Sequence, residues 1–291
     1  MKVALYGQTY NDEASGAVRE LLDELGRDRS EVAIESAFCS LLGLDKDGYA
    51  TFDLDHGLDD SFDLFVSFGG DGTILRAITY IRDLGIPVVG VNTGRLGFLS
   101  TFRKEEVRSL VLQFRAGDYR IVERSVVQAS LEGEAPGGDL LNFALNEVTV
   151  SRKDTTSMIT VETYLNGEYL TSYWADGLIV ATPTGSTGYS LSCGGPVMTP
   201  TARSLVITPI APHNLNARPL VIADDTEIRL RVSGREQQHL LSLDSRITSV
   251  DNGTEITIRR AGFNIRMVEY ATESFFKTIR NKLLWGEDRR N

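Results

Sequence analysis

Phe62-Asp63-Leu64-Phe65-Val66-Ser67-Phe68-Gly69-Gly70-Asp71-Gly72-Thr73 is the stretch that decides the fold of the first part of the chain. Residues 62–68 are apolar and aromatic with no polar alternation, as expected of a strand buried on both faces. A glycine turn follows at once. Residues 73–84 then place Ile74, Leu75, Ile78 and Ile81 at helical spacing. Strand, glycine turn and helix in direct succession is the beginning of a crossover unit in a parallel sheet.

The same rhythm extends in both directions. Strands are expected at 3–6, 32–38 and 86–91, and helices at 14–25 (Val18, Leu21, Leu22, Leu25) and 104–114. After Tyr119 strands follow one another across short turns: 121–131, 144–151, 159–165, 169–174, 178–182, 226–232, 239–243, 255–259 and 265–270. Asn166-Gly167 and Asn252-Gly253 are hairpin-type turns, since both residue types tolerate positive φ. The pattern predicts an α/β half with a parallel sheet, followed by a β-rich, mostly antiparallel half. A closing helix at 274–284 (Phe275, Phe276, Ile279, Leu283) is expected to pack on a preceding domain. Residues 132–138 read as a loop.

Composition narrows the function. The 291 residues carry 30 Lys plus Arg against 40 Asp plus Glu, a formal charge of −10. A field of that sign does not attract nucleic acid or an anionic membrane. A phosphate-bearing ligand is therefore held by local donors: backbone N–H groups, a few basic side chains and a divalent cation. Cys39 and Cys193 read as buried free thiols, and His56, His213 and His239 lack metal-ligand spacing. The beginning of the chain lacks a signal-like apolar stretch and no run is long enough for a membrane span, so the cytoplasm is the expected location.

Three clusters carry chemistry. In the first, Gly69, Gly70 and Gly72 let the backbone approach a ligand, and the helix starting near Thr73 directs free N–H groups to the same place. Asp71 adds nothing to phosphate binding, which suggests proton abstraction or metal placement; the alternative is that Gly-Asp-Gly merely caps the helix. Arg76, one turn on, either reaches a phosphate or is a solvated helix residue. No third glycine follows at Leu75, so this is not a dinucleotide fingerprint, and no Walker loop exists. The second cluster, Asp176-Gly177-Leu178-Ile179-Val180-Ala181-Thr182-Pro183-Thr184-Gly185-Ser186-Thr187-Gly188-Tyr189-Ser190-Leu191-Ser192-Cys193-Gly194-Gly195-Pro196, leads a buried strand into hydroxyls and glycines. It suits a polyhydroxylated ligand with ring nitrogens, or else a structural loop. The third, Asn146-Glu147 within Leu145–Val148, can read a base and ribose hydroxyls, or be an exposed strand face.

Together these clusters, with Thr93-Gly94-Arg95-Leu96-Gly97-Phe98-Leu99 and Asn216-Ala217-Arg218-Pro219-Leu220, resemble the ATP–NAD kinase family over most of the chain. The first motif alone is shared with lipid kinases and phosphofructokinases; the long Thr-Pro-Thr-Gly-Ser-Thr run is specific. The resemblance implies a Rossmann-like N-terminal domain (residues 1–118 plus about 271–291), a β-rich NAD-binding domain (residues 119–270), a ligand cleft between them and a tail helix packing back on the first. It implies transfer of the γ-phosphate of ATP to the 2′-hydroxyl of the adenosine ribose of NAD, giving NADP and ADP. Asp71 matches the general base, and Gly69, Gly70, Gly72 and Thr73 the phosphate loop. Asn146, Glu147, Asp176, Thr187, Gly188, Tyr189, Ser190, Leu191 and Ser192 match NAD contacts. Ala211 matches a position to which a neighbouring subunit contributes, in a homo-oligomer of two or four copies. Mg²⁺ or Mn²⁺ is expected to arrive with the triphosphate, with no dedicated protein cage. Trp174 and Ser157 stand where basic residues are frequent in the family, and Gly188 where Ala is common. The rival readings are a lipid kinase, which the acidic charge disfavours, and a non-catalytic NAD-binding regulator.

Overall fold

The computed structural model describes residues 1–8, 12–45, 48–94, 96–133, 142–154, 157–270 and 274–285. The chain divides into two units, one formed by Met1–Glu123 with the stretch from Ile265 onward, the other by Arg124–Asn264. Arg95, residues 134–138 of the expected loop, and residues 271–273 and 286–291 of the expected tail lie outside the described residues.

The first unit runs β1 (Lys2–Gly7), α1 (Asp12–Gly26), β2 (Glu31–Glu35), α2 (Ser36–Leu41), β3 (Ala50–Phe52), β4 (Leu64–Phe68), α3 (Asp71–Ile81), β5 (Val88–Asn92), β6 (Phe102–Arg103) and α4 (Val107–Ala116). The strands lie in the order β5-β4-β1-β2-β3, all parallel. β4 and β5 are buried at every residue, which explains their mostly apolar sequences. Val18, Leu21 and Leu25 of α1 join Val107, Leu110 and Val111 of α4 in one core with Leu5, Ile34 and Val66 of the sheet. Each such side chain contributes roughly 1.5–3 kcal/mol by leaving water. The buried Glu24 carboxylate is held by Arg27, Arg108 and Arg115, tying α1 to α4.

Chain order places β2 and β3 on one side of β1, and β4 and β5 on the other. The strand order therefore reverses between β1 and β4, and ligands of open parallel sheets bind beyond the carboxyl ends of the strands at such a point. Gly7 ends β1 and Gly69 follows β4 there.

The second unit continues with β7 (Arg120–Leu131), β8 (Phe143–Ala144), β9 (Glu147–Arg152), β10 (Ile159–Leu165), β11 (Glu168–Ala175), β12 (Gly177–Ala181), α5 (Tyr189–Ser192), β13 (Ser204–Ile210), β14 (Leu220–Ala223), β15 (Ile228–Ser233), β16 (Gln238–Leu243), β17 (Arg246–Asp251) and β18 (Glu255–Glu269). β14-β13-β12-β9-β16-β17 form one antiparallel sheet. β11-β10-β15-β18 form another antiparallel run. Alternate residues, such as Val148 and Val150, Leu178 and Val180, or Leu230 and Val232, meet in a shared core, the two-residue period of half-buried strands. The last helix, α6 (Phe275–Leu283), starts at Ser274, whose hydroxyl accepts from Lys277 N. It packs on the first unit, with Lys282 Nζ 5.2 Å from the centre of the Phe98 ring.

Several sequence expectations are corrected. The strand expected at 32–38 stops at Glu35, because the Glu35 carboxylate accepts from Phe38 N at 2.8 Å and opens α2. The helix expected from Thr73 begins at Asp71, with Gly70 as its cap. The strand expected at 144–151 is broken at Leu145 and Asn146, and the two expected at 255–259 and 265–270 are one. Strands β13, β14 and β17 were not anticipated. At Asn166-Gly167 both residues adopt positive φ in a hairpin, whereas at Asn252-Gly253 only the glycine does, and the flanking strands pair with β16 and β15 instead of each other. Neither cysteine forms a disulfide among the described residues; Cys39 is buried and Cys193 only half-buried.

His239 on β16 is completely buried, with Nδ1 3.1 Å from Asn252 Oδ1. Burial holds its pKa below the ordinary imidazole value, against a smaller upward pull from Asn252. The unfolded imidazole titrates near about 6.5. Because the folded state resists protonation, this contribution to stability is fully present above that pH and is lost as pH falls below it. Thermal melts at pH 7.5 and 5.5 should show a steeper acid loss in the wild type than in His239→Gln. Equal losses would rule out His239 as a source of the slope.

Candidate functional site

The candidate residues form two groups, one in each unit. In the first unit Gly69 adopts φ of +149° at the end of β4, and its carbonyl accepts from the buried Ser100 hydroxyl at 2.7 Å. The chain then turns through Gly70 into α3, so Asp71 occupies the first helical turn and Gly72 is exposed beside it. Thr73 is buried under the turn. Gly69 N donates to Val91 O at 2.9 Å and Thr73 N to Gly70 O at 3.0 Å, so the N–H groups left for an anion beside this carboxylate are those at the very start of α3.

The Asp71 carboxylate is fixed from the segment after β5. Oδ2 accepts from Phe98 N at 2.8 Å, and Oδ1 accepts from Leu99 N and Ser100 N, both at 3.0 Å. A carboxylate has about four lone-pair positions. Three consecutive backbone N–H groups occupy three of them and leave one on Oδ2, in a side chain that stays partly exposed. Gly97 makes this possible: a Cβ there would fall on Asp71 Oδ1. The sequence marked Gly97 to Leu99 as a motif but gave no sign that its backbone grips Asp71. Arg76 is exposed. With the Gln8 amide oxygen turned toward it, Gln8 accepts from Arg76 Nε at 2.9 Å and Nη1 at 3.2 Å. The guanidinium is thereby held at the carboxyl end of β1.

In the second unit Asn146 and Glu147 lie at the break between β8 and β9. The break has a cause that sequence reading missed. Asp244, in the turn after β16 with φ of +52°, accepts from Leu145 N at 2.9 Å through Oδ2, and from Asn146 N at 2.9 Å and Glu147 N at 3.2 Å through Oδ1. Its own N–H donates to Glu147 O at 3.0 Å. An Asp tolerant of positive φ after an apolar strand was the available signal; partners 97 to 99 residues away were not readable.

The hydroxyl-rich segment closes over this break. Thr182 Oγ1 donates to Leu145 O, Thr182 N donates to Asn146 O at 2.8 Å, and Gly185 N donates to Thr182 Oγ1 at 3.1 Å. A Cβ at Gly185 would run into the Asn146 carbonyl. Gly185→Ala should therefore lower stability by about 1–3 kcal/mol, the usual cost of overpacking, measurable as a fall in melting temperature. An unchanged melt would contradict this close approach. Thr187 Oγ1 bonds Thr184 O at 3.1 Å, while Tyr189 and Ser192 are exposed and Leu191 is half-buried. Ser190 is fully buried and its hydroxyl meets Thr208 Oγ1 at 2.8 Å, so that side chain is engaged inside the unit. Asp176 pairs with Arg152 at 3.1 Å, and Ala211 is exposed with φ of +45°. Trp174 is exposed, its ring centre 4.3 Å from that of His213. Ser157 is half-buried.

Glu147 is electrostatically unusual. Its Oε2 is buried with no hydrogen-bond partner. Burial, and then the neighbouring Asp244 charge, push its pKa up to about 8. Among the described residues no three His, Cys, Asp or Glu side chains converge as metal ligands. No helix of the described residues is long and apolar enough to cross a membrane.

Comparison with known proteins follows the same division. Residues 3–119 match the family described as the ATP-NAD kinase N-terminal domain, and residues 145–270 the ATP-NAD kinase C-terminal domain. The chain is 55% identical to the NAD kinase of Flavobacterium johnsoniae over the whole of both chains. It is 41% identical to that of Bacteroides fragilis, again over the whole of both. The crystal structure of an NAD kinase from Archaeoglobus fulgidus in complex with ATP superposes with a TM-score of 0.75 at 28% identity, covering 98% of this chain and 99% of that one. Yeast NADH kinase complexed with NADH gives a TM-score of 0.87 at 24% identity, covering 99% of this chain and 88% of that one, and shares the fold.

Proposed function

The chain belongs to the ATP–NAD kinase family, and from that premise we propose that Asp71 is the general base of an ATP-dependent phosphorylation of NAD. The oxygen of the adenosine-ribose 2′-hydroxyl forms a bond to the γ-phosphorus of ATP. The bond from that phosphorus to the β–γ bridging oxygen breaks, and the hydroxyl proton passes to Asp71 Oδ2. The products are NADP and ADP. Phosphoryl transfer depends mostly on positioning and charge stabilisation, with a residue to receive the acceptor proton. The observation that carries this reading is the hold on Asp71: three N–H groups fix its carboxylate and leave one Oδ2 lone pair to receive a proton.

Gly70 and Gly72 offer backbone N–H groups to phosphate, Gly69 and Thr73, whose N–H groups bond Val91 O and Gly70 O, shape the phosphate turn, and Arg76 adds a cation. Asn146 and Glu147 read the adenosine portion of NAD, with Asp176 and the segment Thr187, Gly188, Tyr189, Ser190, Leu191 and Ser192 around it. Ser190 contributes through the shape of α5, since its hydroxyl faces inward. Ala211 belongs to a surface completed by a second copy, in a dimer or tetramer. A cytoplasmic location belongs to the same reading.

Mg²⁺ or Mn²⁺ enters as part of the triphosphate substrate, where it neutralises charge on the phosphate oxygens. Turnover should stop on addition of EDTA and return with excess Mg²⁺; turnover that persists in EDTA would remove the metal from the scheme. An NAD analogue lacking the adenosine-ribose 2′-hydroxyl should bind without being phosphorylated. A phosphorylated product from that analogue would refute the acceptor assignment.

A further inference from the structure

The Asp244 carboxylate resembles that of Asp71 in gathering three consecutive backbone N–H groups, yet it reaches no candidate ligand position itself. Its bonds to Leu145, Asn146 and Glu147 are what break the strand, and the return bond from Asp244 N to Glu147 O locks the break from the other side. Glu147 Oε2 is left buried without a partner, 3.1 Å from where a Cβ on Gly188 would stand. We propose that Asp244 is a positioning residue that holds the Asn146–Glu147 pair in its NAD-reading shape and couples NAD binding to pH through Glu147. The inference rests on the reading of that pair as an NAD contact.

The chemistry divides one proton between two neighbouring acids. Every donor around Asp244 is an N–H that wants an acceptor, so Asp244 keeps the negative charge. Burial nonetheless raises its pKa, opposed by those three N–H groups and by Arg246. Glu147, with no donor on Oε2, keeps the proton and titrates near about 8. The other titratable groups facing Glu147 are Tyr189 of α5 and Cys193 just after it, both pushed by burial above their ordinary ranges. Glu147 is therefore the group that ionises between pH 7 and 9. Its ionisation places a negative charge at the contact itself, which repels an anionic dinucleotide and weakens the grip on it.

The test is NAD affinity by calorimetric titration from pH 6.5 to 9.5 on the full chain, with kcat and the KM for ATP alongside. The wild type should bind NAD uniformly below pH 7 and progressively more weakly above about pH 8. Glu147→Gln, which cannot ionise, should lose the pH dependence: whatever its affinity at pH 7, that affinity should stay level up to pH 9.5. Asp244→Asn removes the charge and one acceptor. It should weaken NAD binding roughly tenfold or more at pH 7, the scale of a lost charge-assisted hydrogen bond. It should leave the KM for ATP within about threefold and move the onset of weakening to lower pH. An unmoved onset, unchanged affinity or an unfolded Asp244→Asn overturns the inference, the last by making Asp244 purely structural. A flat wild-type profile overturns the coupling to pH. Asn146→Ala separates the two levels: if it binds NAD like the wild type, the reading of the pair as an NAD contact fails first.

Discussion

In Asp71→Asn, turnover falls by about 10²–10⁴-fold, the contribution of a positioned general base, while NAD binding stays within a few-fold of wild type. The substitution is nearly isosteric. The amide oxygen still accepts from Leu99 and Ser100, while the amide nitrogen faces the Phe98 N–H that Oδ2 bonded. The lost feature is the Oδ2 lone pair that receives the proton. Rates of NADP formation, paired with NAD titrations on the same preparation, separate the chemical step from binding. Unchanged turnover would take Asp71 out of that role.

Gly97→Ala tests the same carboxylate from outside the motif. The new methyl group would occupy the place of Asp71 Oδ1, so the carboxylate and its three N–H donors cannot all keep their positions. Displacing a reacting group by about 1 Å costs on the order of 10²-fold in rate, and kcat should fall by that much with little change in the KM for NAD. The fold should survive, because the clash is with the carboxylate of a partly exposed side chain in the first turn of α3, so circular dichroism should match the wild type. Full activity would mean that Asp71 is not held as described.

The parallel half was legible because β4 and β5 are buried on both faces and their sequences say so without ambiguity. The error at 32–38 arose because the apolar run continues past Glu35 into Phe38, while a single side-chain cap turns the chain into a helix. In the second unit the strands that escaped notice include β14 and β17, whose residues are mostly half-exposed or exposed and carry little alternation. The residue types of the candidate site were visible as motifs. The forces that shape it were not: Asp71 is gripped from 27 to 29 residues away and the Asn146–Glu147 break from 97 to 99. Such pairings are tertiary, and nothing in the local pattern around either partner announces them. Arg76 illustrates the opposite limit: the sequence leaves it either reaching a phosphate or solvated on the helix, and the structure adds Gln8 as the side chain that steadies it.

The most direct measurement mixes the purified chain with ATP, Mg²⁺ and NAD and follows NADP through an NADP-specific dehydrogenase. The predicted result is a signal that requires all three components and falls with Asp71→Asn. Absence of NADP with ATP or polyphosphate, and with NAD or NADH as acceptor, from a folded chain that still binds NAD, would contradict the account and leave a dinucleotide-binding protein without the transferase step.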